Sequence, residues 1–398
     1  MSSSTTRFRR ANPILATIAY YLAFIILGMT TAASGPALPK LAEHTSSGLD
    51  RISLIFIFGS LGYLIGSYLG GRAFDRFSSH RLLSLTVLLI AIASALIPNA
   101  NSLALLLGAM FLSGFASGII DVGGNALLIW THGEKAGPFL NGLHFFFGVG
   151  SLIAPLVLAR VLLLTGDITW MYYFFAIVSL PLLIWFWFLP EPHKPVHTDA
   201  ETSTSFPARI VVLTLVLFFL YVGLELGFGN WIYTYALTLG LGTTVTAAYL
   251  TSAFWGSFTF GRLLAVWIST RMRPITIIVM DLIGCVLSTL IIMLWRDSNL
   301  ALWVGTVGLG ISMASIFPTI ILLAGERMHI TGTVTGWFLV GSGAGSMLLP
   351  WLIGQIFART GPQAMNTVLL VDIVLTFVIL FLFTSQRTVP LPDPVQTS

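Results

Sequence analysis

Hydrophobic residues in this chain come in long runs that short polar breaks separate. A helix of about 20 apolar residues crosses the hydrocarbon core of a bilayer, and twelve runs approach or exceed that length. The pattern predicts an all-α membrane protein with twelve transmembrane helices, which are called spans and numbered in chain order. The predicted spans cover residues 13–35, 50–71, 81–98, 102–130, 138–164, 168–189, 208–237, 244–269, 274–295, 299–324, 332–358 and 364–385.

The longest polar and proline-rich stretch separates the sixth span from the seventh. It reads P-E-P-H-K-P-V-H-T-D-A-E-T-S-T-S-F-P over residues 190–207, a composition typical of a linker. The sequence therefore predicts an N-terminal six-helix bundle at residues 1–190, a linker at 191–207 and a C-terminal six-helix bundle at 208–398.

Two motifs recur in both halves at one offset. G-V-G-S-L-I-A-P at residues 148–155 has a counterpart, G-A-G-S-M-L-L-P, at 343–350, and 343 − 148 = 195. S-L-G-Y-L-I-G at 60–66 is matched by W-G-S-F-T-F-G at 255–261, where 255 − 60 is again 195. A repeat of about half the chain length predicts two bundles that are related by a pseudo-two-fold axis.

Composition agrees with a membrane protein. Of the 398 residues, 56% are hydrophobic and 9% are charged, whereas soluble domains carry about 25% charged residues. The net charge is +4, but the basic residues lie in short loops, so nucleic acid is not an expected partner. The single cysteine, Cys285, excludes an intramolecular disulfide.

The basic residues also predict the orientation, because cytoplasmic loops are enriched in Lys and Arg. With an even number of spans both termini lie on one side, and that side carries thirteen basic residues against five on the other. Both termini and the linker are therefore expected in the cytoplasm, with the protein in the plasma membrane, which is the cytoplasmic membrane in a bacterium. The thirteen are Arg7, Arg9, Arg10, Arg72, Arg76, Arg81, Lys135, Lys194, Arg209, Arg271, Arg273, Arg327 and Arg387.

The loop between the second and third spans reads G-R-A-F-D-R-F-S-S-H-R, from Gly71 to Arg81. It resembles the G-x-x-x-D-R-x-x-x-[RK]-[RK] loop of the major facilitator superfamily, with His80 at one of the basic positions. In such a gate loop Asp75 can face the positive N-terminus of a helix from the other half. Arg76 and Arg81 can pair with carboxylates when the cytoplasmic side is shut. Ordinary positive-inside loop charges are the alternative interpretation.

Four further patches resemble the fucose permease-like branch of that superfamily, and within it the sodium-dependent glucose transporters and their bacterial relatives. They are D-V-G-G-N at 121–125, L-H-F-F-F-G-V-G at 143–150, Y-V-G-L-E-L-G-F-G-N-W at 221–231 and S-A-F-W-G-S-F-T-F-G-R at 252–262. The resemblance implies import of a hexose, coupled to Na⁺ or H⁺, by alternating access. The fucose permeases pair acids of the first and fourth spans, but residues 14–35 carry no charge here.

Ionisable and amide groups inside a span are costly and mark functional candidates. Asp121 lies about 15 Å deep at 1.5 Å per residue, and Asn125 follows one helical turn later. We expect this pair to bind the coupling cation, since Na⁺, like other hard cations, prefers oxygen ligands. His144 of the fifth span matches Asn125 in depth, Asn141 lies one turn nearer the start of that span, and both are expected to bind substrate. An interhelical hydrogen bond is the structural alternative for each.

The seventh and eighth spans supply the other candidates for a sugar site. Glu225 lies in mid-span before two glycines that would loosen the helix, as in a discontinuous segment that lines a cavity. Asn230 adds an amide for sugar hydroxyls, and Trp231 and Trp255 add rings for the apolar face of a pyranose. Most membrane tryptophans are belt or packing residues.

Three intramembrane charges remain outside the predicted site. Asp281 and Asp372 are expected to form interhelical hydrogen bonds, and Arg262 is left unassigned between the gate loop and an acid.

Enzyme signatures such as H-E-x-x-H, the phosphate-binding G-x-x-x-x-G-K-[ST] and G-x-S-x-G are absent from the sequence. We therefore expect a transporter and no enzyme, with a small-molecule substrate, a coupling cation and lipid as partners, and no cofactor or metal apart from Na⁺ at Asp121 and Asn125. It is expected to work as a monomer. A proton-coupled exporter of drugs or metabolites and a membrane sensor that binds without transporting are the alternatives.

Overall fold

A computed structural model describes residues 12–192, 207–328 and 330–386. Across these residues the chain is helical, without strands. The fourteen α-helices are α1 (Pro13–His44), α2 (Leu49–Ile52), α3 (Leu54–Arg76), α4 (Ser79–Leu96), α5 (Leu103–His132), α6 (Ala136–Thr165), α7 (Thr169–Phe188), α8 (Ala208–Thr238), α9 (Thr244–Ile268), α10 (Pro274–Leu294), α11 (Asn299–Met313), α12 (Ile316–Gly325), α13 (Gly332–Thr360) and α14 (Gln363–Thr384).

The predicted all-α membrane architecture is confirmed. In the described ranges, ten helical segments are long and apolar enough to cross a bilayer. One of them, Leu103–Thr165, contains both α5 and α6, joined by a 3₁₀ turn, and α9 is not among the ten. Each predicted span has a helix at its position, but twelve crossings remain a prediction.

Two helix boundaries differ from the sequence-based expectation. The first span was predicted to end at residue 35, whereas α1 continues through Pro36 and Pro39 to His44. Neighbouring helices that bury this stretch allow prolines inside a membrane helix. The tenth span breaks in two at Ala314 and Ser315. The break is compensated, because the Tyr221 hydroxyl donates to the freed Met313 carbonyl at 2.9 Å.

Helices of each half pack mainly on one another, with α3 against α5, α1 against α6 and α8 against α13. Small residues bring backbones close, as is common in membrane bundles. A Cβ on Gly66 of α3 would lie 2.0 Å from the Phe115 carbonyl of α5. The halves meet where α6 crosses α9, α3 crosses α13 and α1 crosses α8.

The repeated motifs make equivalent contacts between the halves. A Cβ on Gly148 of α6 would lie 2.3 Å from Thr259 Oγ1 of α9, and one on Gly343 of α13 would lie 2.4 Å from Leu64 Cδ2 of α3. Gly343 is the counterpart of Gly148, and Thr259 is the counterpart of Leu64, because 343 − 148 and 259 − 64 both equal 195. The sequence repeat is therefore matched by a repeated helix crossing.

The molecule has two ends, defined here by the linker. At the linker end α7 ends and α8 begins; the far end carries α2 and the end of α13. At the far end Gln355 Nε2 of α13 donates to the Asp50 carbonyl at 2.6 Å and to Ser53 Oγ at 3.2 Å. In the described residues, hydrogen bonds between the halves lie at mid-depth or nearer the far end.

The linker ends of α3 and α13 are less covered. One turn beyond the Leu64–Gly343 contact, Tyr68 is 61% exposed and Val340 is 47% exposed. The described residues thus hold the halves together at the far end and leave these two helix faces uncovered at the linker end. Most of the predicted linker (residues 193–206) and the basic residues Arg7, Arg9, Arg10, Lys194 and Arg387 lie outside the described residues.

Candidate functional site

Asp121 of α5 is held by two donors. The Tyr63 hydroxyl of α3 donates to its Oδ2, and Asn125 Nδ2 donates to its Oδ1 at 3.1 Å. The predicted proximity of Asp121 and Asn125 on one face is therefore present in the structure. Tyr63 was missed, although it lies within the repeated motif at 60–66. Its hydrogen bond also ties α3 to α5, which is the structural alternative for Asp121.

Ligands for a metal ion are few at this position. In the part of the chain that the structure describes, no group of three or more His, Cys, Asp or Glu side chains could hold a metal. Asp121 and Asn125 together offer one carboxylate and one amide oxygen, so a cation bound there would need further oxygens from water or substrate.

Asn141 and His144 lie on α6 with exposed side chains. The His144 ring meets the Phe24 ring of α1 edge-on, with centroids 6.2 Å apart. Phe24 also contacts α5, because a Cβ on Gly124 would lie 2.3 Å from its ring. No hydrogen bond among the described residues joins Asn141 or His144 to Asp121. The candidate residues of α5 and those of α6 thus form two groups, with Phe24 in contact with both helices.

Glu225 is buried in the middle of α8, with 8% of its surface exposed. Arg262 of α9 interacts electrostatically with Glu225 and also with His144 of the other half. The Arg262 guanidinium lies 4.5 Å from the centre of the Phe258 ring. Arg262 is therefore within electrostatic range of a predicted substrate residue in each half, and no hydrogen bond or ion pair among the described residues joins it to either. The sequence feature that could have placed Arg262 in the site is its position at the end of the patch at 252–262.

Trp255 lies two turns before Arg262 on α9 and is fully buried. Its indole Nε1 is a buried donor without a hydrogen-bond partner among the described residues. Unpaired buried donors are rare and cost about 1–3 kcal/mol. Gly229 makes room for the ring, since a Cβ there would lie 3.0 Å from Trp255 Cζ2. A ligand hydroxyl would satisfy this donor.

Asn230 and Trp231 lie instead where the halves meet at the far end. The Trp231 Nε1 donates to the Pro350 carbonyl at 2.8 Å, and its ring approaches that of Phe56 in the other half at 6.3 Å. A Cβ on Gly35 of α1 would lie 2.5 Å from the Asn230 Cα. The structure thus gives both residues close packing contacts, and it satisfies the Trp231 donor within the protein.

The gate loop is anchored to the end of α7. Glu191 accepts hydrogen bonds from Ser78 Oγ at 2.6 Å, from the Ser79 amide at 2.8 Å and from the His80 amide at 3.1 Å. It therefore caps the first turn of α4. The sequence analysis did not identify Glu191 as a cap of α4, because Glu191 lies more than a hundred positions after the residues to which it bonds.

His80, which stands at one of the basic positions of the loop motif, lies inside the protein. It is fully buried, with Nε2 2.7 Å from the Tyr20 hydroxyl and Nδ1 3.2 Å from the Leu189 carbonyl. The ring thus links α1, α4 and the end of α7.

The other gate residues lie at the linker end. Asp75 and Arg76 are exposed at the end of α3. The Arg81 guanidinium lies 5.9 Å from the Trp187 ring of α7, in its own half. A Cβ on Gly71 would only reach ordinary contact with Val122 at 3.9 Å, so space does not require a glycine there.

The two acids outside the predicted site behave differently. The Ser315 hydroxyl donates to Asp281, which ties α10 to the break between α11 and α12, as expected of an interhelical hydrogen bond. Asp372 has no such bond: its Oδ2 is buried without a partner among the described residues. The expectation for Asp372 was wrong.

Comparison with known proteins identifies the family. Residues 20–350 match the Major Facilitator Superfamily. The chain is 32% identical to sodium-dependent glucose transporter 1 of Xenopus laevis, covering 82% of this chain and 73% of that protein. It is 32% identical to sodium-dependent glucose transporter 1A of Mus musculus, covering 84% and 88%.

A solved structure shares the fold. A nucleoside transporter, NupG, superposes with a TM-score of 0.73 over 94% of this chain and 99% of that one, at 15% identity. On both sequence and fold, the chain belongs to the Major Facilitator Superfamily.

Proposed function

We propose that this protein imports a sugar, a hexose such as glucose, by alternating access coupled to Na⁺ or H⁺. The observation that carries the proposal is the meeting of charged and polar groups between the halves. Arg262 interacts with Glu225 of its own half and with His144 of the other, and Trp255 offers an unpaired donor on the same helix. The relatives named as sodium-dependent glucose transporters support the substrate class.

These groups suit a sugar. Carboxylate groups accept from vicinal hydroxyls and guanidinium groups donate to them. The Trp255 ring is buried in this conformation and would stack on the apolar side of a pyranose after the halves rearrange. A bound hydroxyl would satisfy the Trp255 Nε1. A second hydroxyl could bond to the Glu225 carboxylate.

The proposed arrangement has twelve spans in two six-helix bundles, 1–190 and 208–398, with both termini in the cytoplasm of a plasma membrane and one chain as the working unit. The equivalent crossings of α6 with α9 and of α13 with α3 support the pseudo-two-fold relation. If the linker end is cytoplasmic, the far-end contacts make this conformation closed to the outside and open inward.

The coupling residues are connected to the gate through α3. This helix carries Tyr63, which donates to Asp121, then Leu64 at the contact with the other half, and it ends at Arg76. A cation or proton on Asp121 would weaken its hydrogen bonds to Tyr63 and Asn125. Coupling then works by shifting α3, and with it the gate loop, between the two conformations.

Uptake of labelled glucose into proteoliposomes tests this proposal, with an imposed Na⁺ gradient, a pH step, both or neither. Accumulation above the outside concentration under either gradient supports import. Efflux driven by an opposing gradient would favour the exporter, and binding without flux would favour the sensor.

A further inference from the structure

The Asp372 carboxyl has no use in the site described so far. It is 4% exposed, and its Oδ2 has no hydrogen-bond partner among the described residues. It lies nine residues from the far end of α14 and twelve from the linker end, which places it near the middle of the span.

Among the described residues, no hydrogen bond or ion pair joins the Asp372 carboxyl to a basic side chain; Arg327 bonds instead to the Phe383 and Thr384 carbonyls in the last turn of α14. Helix α14 packs against α8, α10 and α13. From α10, the buried Cys285 thiol interacts with both Asp372 and Asp281. From α8, Tyr221 interacts with Glu225, with Arg262 of α9 and with Cys285. In α13 the charged residue is Arg359, in the last turn at the far end.

An isolated carboxylate in such surroundings is unstable. Removing its charge from water without a partner costs far more than binding a proton, so the group neutralises instead. A neutral acid that makes no hydrogen bond through its Oδ2 contributes little to the stability of the fold. Such a carboxyl can have a function if it binds and releases a proton.

We propose that Asp372 is a proton-binding site of the transport cycle, separate from Asp121 and placed in the C-terminal half. In the present conformation its O–H bond is intact. When the halves rearrange and water reaches α14, the proton leaves this oxygen for water and the carboxylate remains. Asp281 lies between this site and the linker end, seven residues from the start of α10, and its carboxylate can pass the proton on. The inference rests on the proposed function, because it needs a transport cycle.

The test measures protons and sugar in the same liposomes. The full chain is reconstituted with pyranine inside, the membrane potential is clamped with valinomycin and K⁺, and glucose is added outside. Wild type should acidify the lumen upon sugar addition. Asp372→Asn should reduce sugar-evoked acidification to that of sugar-free liposomes while retaining glucose counterflow, which requires no net proton movement. Asp372→Glu, which keeps the acid, should retain acidification.

Three outcomes would overturn the inference. One is sugar uptake by wild type without acidification, and another is normal acidification by Asp372→Asn; both leave the proposed function standing. No sugar flux in wild type would instead remove the proposed function. If Asp372→Asn does not fold, infrared spectroscopy decides: wild type at neutral pH should show a protonated carboxyl C=O band that shifts in Asp372→Glu. An unshifted band is the third overturning outcome.

Discussion

The far-end contact between the halves predicts how a single side chain sets the conformational balance. Gln355 Nε2 of α13 donates to the Asp50 carbonyl at 2.6 Å and to Ser53 Oγ at 3.2 Å. Asp50 and Ser53 belong to the other half, so these bonds exist only while the far end is closed. Gln355→Met keeps the length of the side chain and removes both.

Each neutral hydrogen bond contributes about 0.5–1.5 kcal/mol net, so the pair contributes about 1–3 kcal/mol. That difference shifts a two-state equilibrium by about 5- to 150-fold. The Gln355→Met variant should therefore populate the conformation open at the far end much more than wild type does. The substitution thus destabilises the conformation that is closed at the far end.

Distances between spin labels at Tyr68→Cys and Val340→Cys report the balance in a Cys285→Ser background, since Cys285 is the single cysteine of the chain. These positions flank the linker end and should approach one another in the Gln355→Met variant. Gln363→Met is the matched control, because Gln363 bonds to Tyr235 within its own half. An unchanged distance distribution in Gln355→Met, or an equal change in Gln363→Met, would refute the reasoning.

Three further predictions concern coupling, stability and pH. Asp121→Asn should abolish gradient-driven accumulation and retain exchange in proteoliposomes; normal accumulation would remove Asp121 from the coupling step. Glu191→Ala removes the cap of α4 and should cost about 0.5–2 kcal/mol of stability, seen as a lower melting temperature in detergent than for Glu134→Ala. Burial alone would raise the pKa of Asp167, but hydrogen bonds from Thr169 and the backbone hold that pKa below its usual value. This stabilisation is present above the usual pKa of an aspartate and is lost as pH falls through the lowered one, so the melting-temperature gap between wild type and Asp167→Asn should close on acidification.

The sequence predicted the helices well because hydrophobic runs of bilayer length depend on little besides local composition. It failed at Pro36 and Pro39, where burial by neighbours keeps α1 helical, and at Ala314, where Tyr221 from another helix compensates a break. The hydrophobic pattern of one segment gives no information about these neighbours, which belong to other helices.

The site was predicted in part for the same reason. Asp121 and Asn125 are one turn apart on one helix, so spacing alone brought them together. Tyr63, Arg262 and Glu191 act across helices, and nothing in their local sequence names the partner.

The central claim is that groups between the halves bind a sugar, and equilibrium binding of labelled glucose to purified protein tests it most directly. Glu225→Gln removes the charge of the buried acid in the proposed site and should weaken binding by about 10- to 150-fold, because a hydrogen bond to a charged group contributes about 1.5–3 kcal/mol. The control Asp297→Asn, at an exposed loop position, should bind as wild type does. Equal affinity in wild type and Glu225→Gln would contradict the account.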